Sequence, residues 1–180
     1  CRPAASALFD LYGERGDSAR ALELSDKMAR YMLREGDPAG RSRFFGRRGQ
    51  LQAACGQLQA AVESLVTALE LRPDNLEALD WLISLCRRSP EVFDFAAVFR
   101  DLEQVYRRED NQAAVGHVLV AAGALAEVAG DAETALERYQ EAMLVVPDDV
   151  APAKALANLL VSLGRGEEGA DVLERLARRS

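Results

Sequence analysis

The chain has 180 residues, 49% of them hydrophobic, 28% charged and 6% aromatic, and carries a formal net charge of −7. That apolar content supports a continuous core and excludes a disordered chain. The acidic balance makes a phosphate backbone a poor partner unless positive charge gathers on one face, so no nucleic acid is expected.

Cys1, Cys55 and Cys86 are odd in number and lack CxxC spacing, and His117 is the single histidine. They assemble neither a disulfide framework nor a zinc site, so no metal or cofactor is expected. No GxxxxGK[ST] phosphate loop occurs. The longest uninterrupted apolar stretches, such as Val118 to Ala122, fall far short of the roughly 20 residues that span a bilayer, so no transmembrane segment is expected. The start at Cys1, without Met, charged n-region or apolar h-region, reads as a piece of something longer. Free cysteines and the missing export signal point to the cytoplasm, with a lipid-anchored Cys1 as the lesser alternative.

Ala and Leu dominate, and Val, Ile and Thr never alternate, which predicts an all-α chain. In chain order, Leu8, Tyr12, Gly16, Ala21 and Met28 give a first helix pair, whose second helix runs long toward the turn-rich Glu35-Gly36-Asp37-Pro38. Phe45, Gly49, Gly56, Ala61, Leu65, Ala68 and Pro73 mark the next pair. Leu79, Leu82, Ile83 and Cys86 then form a helical stripe, followed by Ser89-Pro90 and a second stripe of Phe95, Phe99, Leu102 and Tyr106. Around residues 116–149 the signals are sharpest. Leu119, Ala122, Gly123 and Ala126 share one face. Gly130 suits a left-handed helix end, Asp131 suits the next helix cap, Ala135, Tyr139 and Ala142 repeat the stripe, and Pro147 ends it. Leu156, Ala157, Leu160, Gly164, Leu173 and Leu176 complete the pattern, and the charged helix from about Glu167 to Arg179 is suited to capping a stack.

These pairs repeat. At an offset of 74 residues Gly49 meets Gly123, Gly56 meets Gly130, Ala61 meets Ala135, Ala68 meets Ala142 and Pro73 meets Pro147, and Gly130 to Gly164 shortens the period to 34. The pattern resembles the tetratricopeptide repeat, most closely in residues 42–75 and 116–149. Units 2–35, 76–109 and 150–180 fit less closely, and 76–109 departs furthest because Ser89-Pro90 replaces Gly-Asp and Phe95 stands where a small residue is expected. The resemblance implies one array over 1–180, a right-handed α-solenoid of about five antiparallel helix pairs whose first helices line a concave groove.

On that register the groove side chains are Arg43, Arg47 and Gln50, then Asp80, Trp81, Ser84 and Arg88, then His117 and Val120, and finally Lys154 and Asn158. Arg41, Arg43, Arg47 and Arg48 form a basic run with two readings, a binding face for an acidic peptide segment or an ordinary solvated face. Trp81, the only tryptophan, is either a partner anchor or core between repeats. His117 has no cysteine or carboxylate in its turn and reads as a surface or groove histidine, Cys86 as a buried thiol, and Cys55 as the more exposed one. Glu23 with Lys27 and Glu174 with Arg178 read as helix-surface pairs. Some relatives of the repeat grip a C-terminal carboxylate with Lys and Asn, but Ser6, Asp10, Gly46 and Gln50 stand at those places, so that clamp is not expected.

The expected function is an interaction scaffold, not an enzyme, that holds a segment of a partner protein, with self-association possible through an incompletely capped end. The alternative is the repeat or regulatory portion of a larger enzyme or sensor.

Overall fold

The computed structural model describes residues 9, 11, 12, 15, 17–32 and 37–178. Among them the regular elements are helical, without a strand. The chain forms two compact units, Cys1–Phe93 and Asp94–Ser180. The first holds α1 (Ser18–Met32), α2 (Pro38–Ala54), α3 (Leu58–Leu71), α4 (Leu76–Arg88) and a 3₁₀ turn at Pro90–Val92. The second holds α5 (Phe95–Arg108), α6 (Gln112–Ala129), α7 (Ala132–Val145), α8 (Val150–Ser162) and α9 (Gly166–Ala177). Leu8 and Gly16, which the first repeat used, lie outside the described residues, as do residues 33–36.

In the first unit, Asp37-Pro38 is the cap and opening turn of α2. Asp37 Oδ1 accepts from the Gly40 N–H at 2.8 Å, and Pro38 needs no N–H there. The α2–α3 hairpin closes through Gly56 at φ +77°, with the Gln57 N–H on the Gln52 carbonyl at 2.8 Å and the Gly56 N–H on that of Ala53 at 3.1 Å. Ala61, Val62, Leu65, Ala68 and Leu69 on α3 are buried, and α2 supplies Phe44 and Phe45, whose rings meet edge-on at 5.2 Å. Helix α4 then packs on α3 through Ala78, Leu79 and Leu82.

The second unit repeats this closure. Gly130 takes φ +79°, the Asp131 N–H reaches the Ala126 carbonyl at 2.9 Å, and Asp131 caps α7 through the Thr134 N–H at 3.1 Å. Gly164, at φ +76°, closes α8 onto α9 in the same way. Helix α6 is the hub, packing on α5 and α7 with Val115, Val118 and Leu119 buried. At 18 residues and mean hydropathy 1.4 it is long and apolar enough, by length and composition, to cross a membrane. The continuous-stretch reading overlooked it because Gly and His interrupt the run, and much of its apolar surface is spent on the helices beside it.

Residues 76–109 depart from the repeat, and the reason is local. Ser89 ends α4 without a left-handed residue, the 3₁₀ turn intervenes, and Asp94 caps α5 through the Ala97 N–H at 3.0 Å. The boundary between the compact units, after Phe93, falls inside this connection. Phe95 is buried and sits 6.0 Å, ring to ring, from Phe99. Helix α9 buries only Gly169 fully, and its Glu174–Arg178 pair closes at 3.2 Å.

Candidate functional site

Three of the predicted groove residues stand on α2. Arg43 is exposed. Arg47 is half-buried and donates through Nη1 to Gln50 Oε1 at 2.9 Å. Gln50 is only 8% exposed, and its Nε2 donates to Glu77 Oε1 on α4 at 2.8 Å. The sequence reading treated Gln50 as a groove lining. It is also the buried middle of a relay from Arg47 to Glu77 that joins α2 to α4.

Between these helices lies a recess of about 210 Å³ lined by Arg43, Arg47, Gln50, Glu77, Gly46 and Ala78. A β-carbon on Gly46 would find ordinary contacts at 3.7 Å and beyond, so this glycine opens the floor without being demanded by packing. A neighbouring recess of about 200 Å³ joins Arg43 to Ser42, Arg72, Asp74 and Asn75. Its wall is rigid. Ser42, fully buried, donates to the Ala68 carbonyl at 2.8 Å and accepts from Asn75 Nδ2 at 2.8 Å, while Asn75 caps α4 through the Ala78 N–H. The Arg72 guanidinium grips Asp74 and holds that carboxyl below the usual aspartate range. Arg43 lines both recesses.

On α4, Glu77, Trp81, Ser84 and Arg88 follow at i, i+4, i+7 and i+11 on one face, with Asp80 beside them. Asp80 and Arg88 are exposed, and Trp81 and Ser84 are half-buried. Sequence reasoning missed Glu77 and Asn75. The available signals were that Glu77 stands one helical turn before Trp81 and that Asn75 is a capping residue.

Arg48 leaves the basic run. Its Nη2 meets Asp26 at 2.6 Å, its Nη1 donates to Ser64 Oγ at 3.1 Å and its Nε to Ser25 Oγ at 3.3 Å, tying α1, α2 and α3 together. It serves folding, whereas Arg43 and Arg47 line the recess between α2 and α4.

His117 belongs to the other unit, on α6, with its Nδ1 buried and without a hydrogen-bond partner among the described residues. Val120, one turn on, packs against the cluster of Tyr139, Leu156 and Leu160. Lys154 and Asn158 on α8 are exposed. The second unit has its own cavity, of about 260 Å³, between α5, α6 and the start of α7. Cys86 is buried, which pushes its thiol up to about 11 despite the opposing charge of Arg87, whereas Cys55 is exposed. No group of three or more metal-ligating side chains occurs among the described residues.

Comparison of the sequence with protein-family models and with curated proteins found no match. Solved structures do match. MamA from Desulfovibrio magneticus RS-1 is similar at 15% identity with a TM-score of 0.63, over 98% of this chain and 93% of that one. BtubC from P. vanneervenii is similar at 18% identity with a TM-score of 0.67, over 97% of this chain and 77% of that one. Acl4, an assembly chaperone of RpL4, is similar at 17% identity with a TM-score of 0.60, over 96% of this chain and 72% of that one. At such identities the likeness is one of fold, an all-α solenoid of antiparallel helix pairs of the tetratricopeptide-like kind.

Proposed function

We propose that the chain is a member of the tetratricopeptide-repeat family acting as a non-enzymatic interaction scaffold, and that the face formed by α2 and α4 holds a segment of a partner protein. The observation that supports this most is the recess between Arg43, Arg47 and Glu77, whose walls are fixed by hydrogen bonds before any partner arrives. Preorganisation lowers the ordering cost of binding. The floor is small and apolar, two guanidiniums stand on one side, and the half-buried Trp81 lies one turn further along α4. Such a surface suits an acidic segment with an apolar side chain beside its carboxylates. One of the structurally similar proteins is an assembly chaperone of RpL4.

His117 stands on the other compact unit and is left out of this site. Its isolation from cysteines and carboxylates argues against acid–base catalysis.

Trp81 provides the test, because it is the only tryptophan and reports directly on the site. Titration with an acetylated peptide alternating Asp and Leu should shift its emission saturably, and Arg43→Glu should weaken the midpoint about tenfold, the scale of one charge-assisted contact. An emission spectrum indifferent to the peptide, or a midpoint indifferent to Arg43→Glu, defeats this reading.

A further inference from the structure

The 74-residue repeat places the same three-helix arrangement in each unit, α1–α2–α3 in the first and α5–α6–α7 in the second. The stripe of α1 formed by buried Ala21 and Ser25 and half-buried Met28 and Met32 corresponds to Phe95, Phe99, Leu102 and Tyr106 of α5, so the offset holds across all three helices. In the first unit the space between them is filled by the chain itself. Arg48 enters from α2 and meets Asp26, Ser25 and Ser64, and Ser64 donates to Gln52 at 2.6 Å.

In the second unit the counterparts of Arg48 and Gln52 are Ala122 and Ala126, and the space is empty. It is the cavity of about 260 Å³, with Phe99, Ala122, Leu125 and Ala126 forming its apolar part. The surrounding side chains differ in charge as well, with one acid replaced by a base and one neutral hydroxyl replaced by another base. The counterpart of Asp26 is Arg100, and that of Ser64 is Arg138, so a cation at the centre has been replaced by cations at the edge.

Two carboxylates also stand at this edge, and both are engaged. Asp131 accepts from the Thr134 N–H at 3.1 Å and from its hydroxyl at 2.7 Å. Glu103 accepts from Arg107 at 2.9 Å and lies 3.7 Å from Arg138, which also meets Glu141 at 3.2 Å. Arg100 is exposed and has no hydrogen-bond or ion-pair partner among the described residues. Of the two cations that line the cavity, Arg100 is the one that no carboxylate among the described residues meets, whereas Arg138 already faces Glu103 and Glu141.

We propose that the α5–α6–α7 cavity receives an acidic side chain of a partner polypeptide, with its methylenes on Ala122, Ala126 and Leu125 and its carboxylate at Arg100 and Arg138. The partner's side chain completes from outside what Arg48 completes from inside the first unit, with the polarity reversed. Apolar residues flanking it would rest on Ala96, Leu125 and Ala129 at the cavity's edge. This site belongs to the second unit and stands or falls independently of the α2–α4 recess.

Amide chemical shifts of the full chain provide the test, with three probes: acetyl-Ala-Leu-Glu-Leu-Ala-amide, the same peptide with Gln for Glu, and free glutarate. The Glu peptide should move the Ala122, Ala126 and Thr134 amides saturably, about tenfold more tightly than the Gln peptide, with an affinity that falls as salt rises. Ala122→Leu, which fills the space without charge, should abolish these shifts. Arg100→Glu, an exposed change that spares the packing, should remove the preference for Glu over Gln. Absence of saturable shifts, equal binding of the Glu and Gln peptides, or a preference unchanged in Arg100→Glu would overturn the proposal. Glutarate binding as tightly as the peptide would overturn it too, in favour of a small-acid site.

Discussion

The ring of Tyr139 occupies the place that a β-carbon on Gly123 would need. Such an atom would lie 2.4 Å from Cε1 and 2.7 Å from Cδ1. The relationship recurs 74 residues earlier, where a β-carbon on Gly49 would meet Leu65 Cγ at 2.7 Å and the Ala61 carbonyl oxygen at 3.0 Å. In each hairpin the first helix gives up a side chain so that a large residue of the second can lie against its backbone. Gly123→Ala should therefore destabilise the fold despite the better helix propensity of alanine, by about 1–3 kcal/mol from overpacking. Urea unfolding followed by circular dichroism checks this. Because Tyr139 also donates to Glu127 at 2.5 Å, Tyr139→Phe should cost about 0.5–1.5 kcal/mol and add to the glycine change less than independently.

Asp110 carries a different strain. It ends α5 at φ +54°, the only positive φ outside glycine among the described residues, and its N–H bonds the Arg107 carbonyl at 3.3 Å as Gly130 does that of Glu127. The position wants glycine. Asp110→Gly relieves the left-handed strain but gives up the bond from Gln112 Nε2 at 2.8 Å and frees the unfolded chain. The net expectation is a gain of up to about 0.5–1 kcal/mol, whereas Asp110→Val should lose stability because a β-branched residue resists that conformation. Paired thermal melts of the two variants separate these outcomes.

Arg48 joins three helices with one planar group, and its side chain is 21% exposed. Arg48→Ala should cost about 1–3 kcal/mol, because Ser25 and Ser64, both buried, and Asp26 lose their common donor. Lysine should not restore it. A single ammonium offers no fork that reaches Ser64 on α3 and Asp26 on α1 together. Equal urea midpoints for Arg48→Lys and the unsubstituted chain would show that charge alone matters.

These cases also show where the sequence was transparent. Gly56, Gly130 and Asp131 announced their roles because a left-handed helix end and a side-chain cap need particular residue types at fixed places. The stripe of Ala135, Tyr139 and Ala142 was likewise legible from period alone, as were the buried Cys86, the exposed Cys55 and the Glu23–Lys27 pair, which closes at 2.9 Å. What stayed hidden was which face of a polar residue is used. Arg43 and Arg48 read alike in a basic run, yet one is exposed and the other spans three helices, since their difference depends on Asp26, Ser25 and Ser64 arriving from α1 and α3. The burial of Gln50 and its bridge from Arg47 to Glu77 stayed hidden for the same reason. The connection at 89–94 was legible as an irregularity but not as a 3₁₀ turn, because Ser-Pro is compatible with several ends. The two reversed clusters around Arg48 and Ala122 could be compared only once the helices were in place.

The cap of α7 makes stability depend on acid. The hydroxyl of Thr134, then its N–H, holds the Asp131 carboxyl below the ordinary aspartate value. A group whose folded pKa is depressed contributes stability above its unfolded value, near pH 4, and loses it as pH falls through the folded value. Asp131→Asn keeps a neutral acceptor for the Thr134 N–H but has no proton to bind. The gap in urea midpoint between the unsubstituted chain and Asp131→Asn should therefore be full at pH 7 and shrink as pH falls below about 4. A gap constant over that range would mean that the carboxylate's charge contributes nothing to the cap.

The two described cysteines differ enough to report separately on the folded state. Cys55 is exposed beside the α2–α3 turn, while Cys86 is 3% exposed on α4, with its thiol pushed up to about 11 by burial. The thiolate is the reactive form, so at pH 8 Cys86 is doubly protected, by access and by protonation. In a Cys1→Ser background, maleimide should modify Cys55 within minutes and leave Cys86 intact until urea unfolds the chain. Removing Cys55 as well should then turn the modification rate into a measure of how often α4 opens, because labelling requires that opening. Destabilising Arg48→Ala in this background should raise the rate if α4 opens together with α1–α3, and leave it unchanged if α4 opens alone. Prompt modification of Cys86 in the native protein would contradict the packing of α4 on α3 described above.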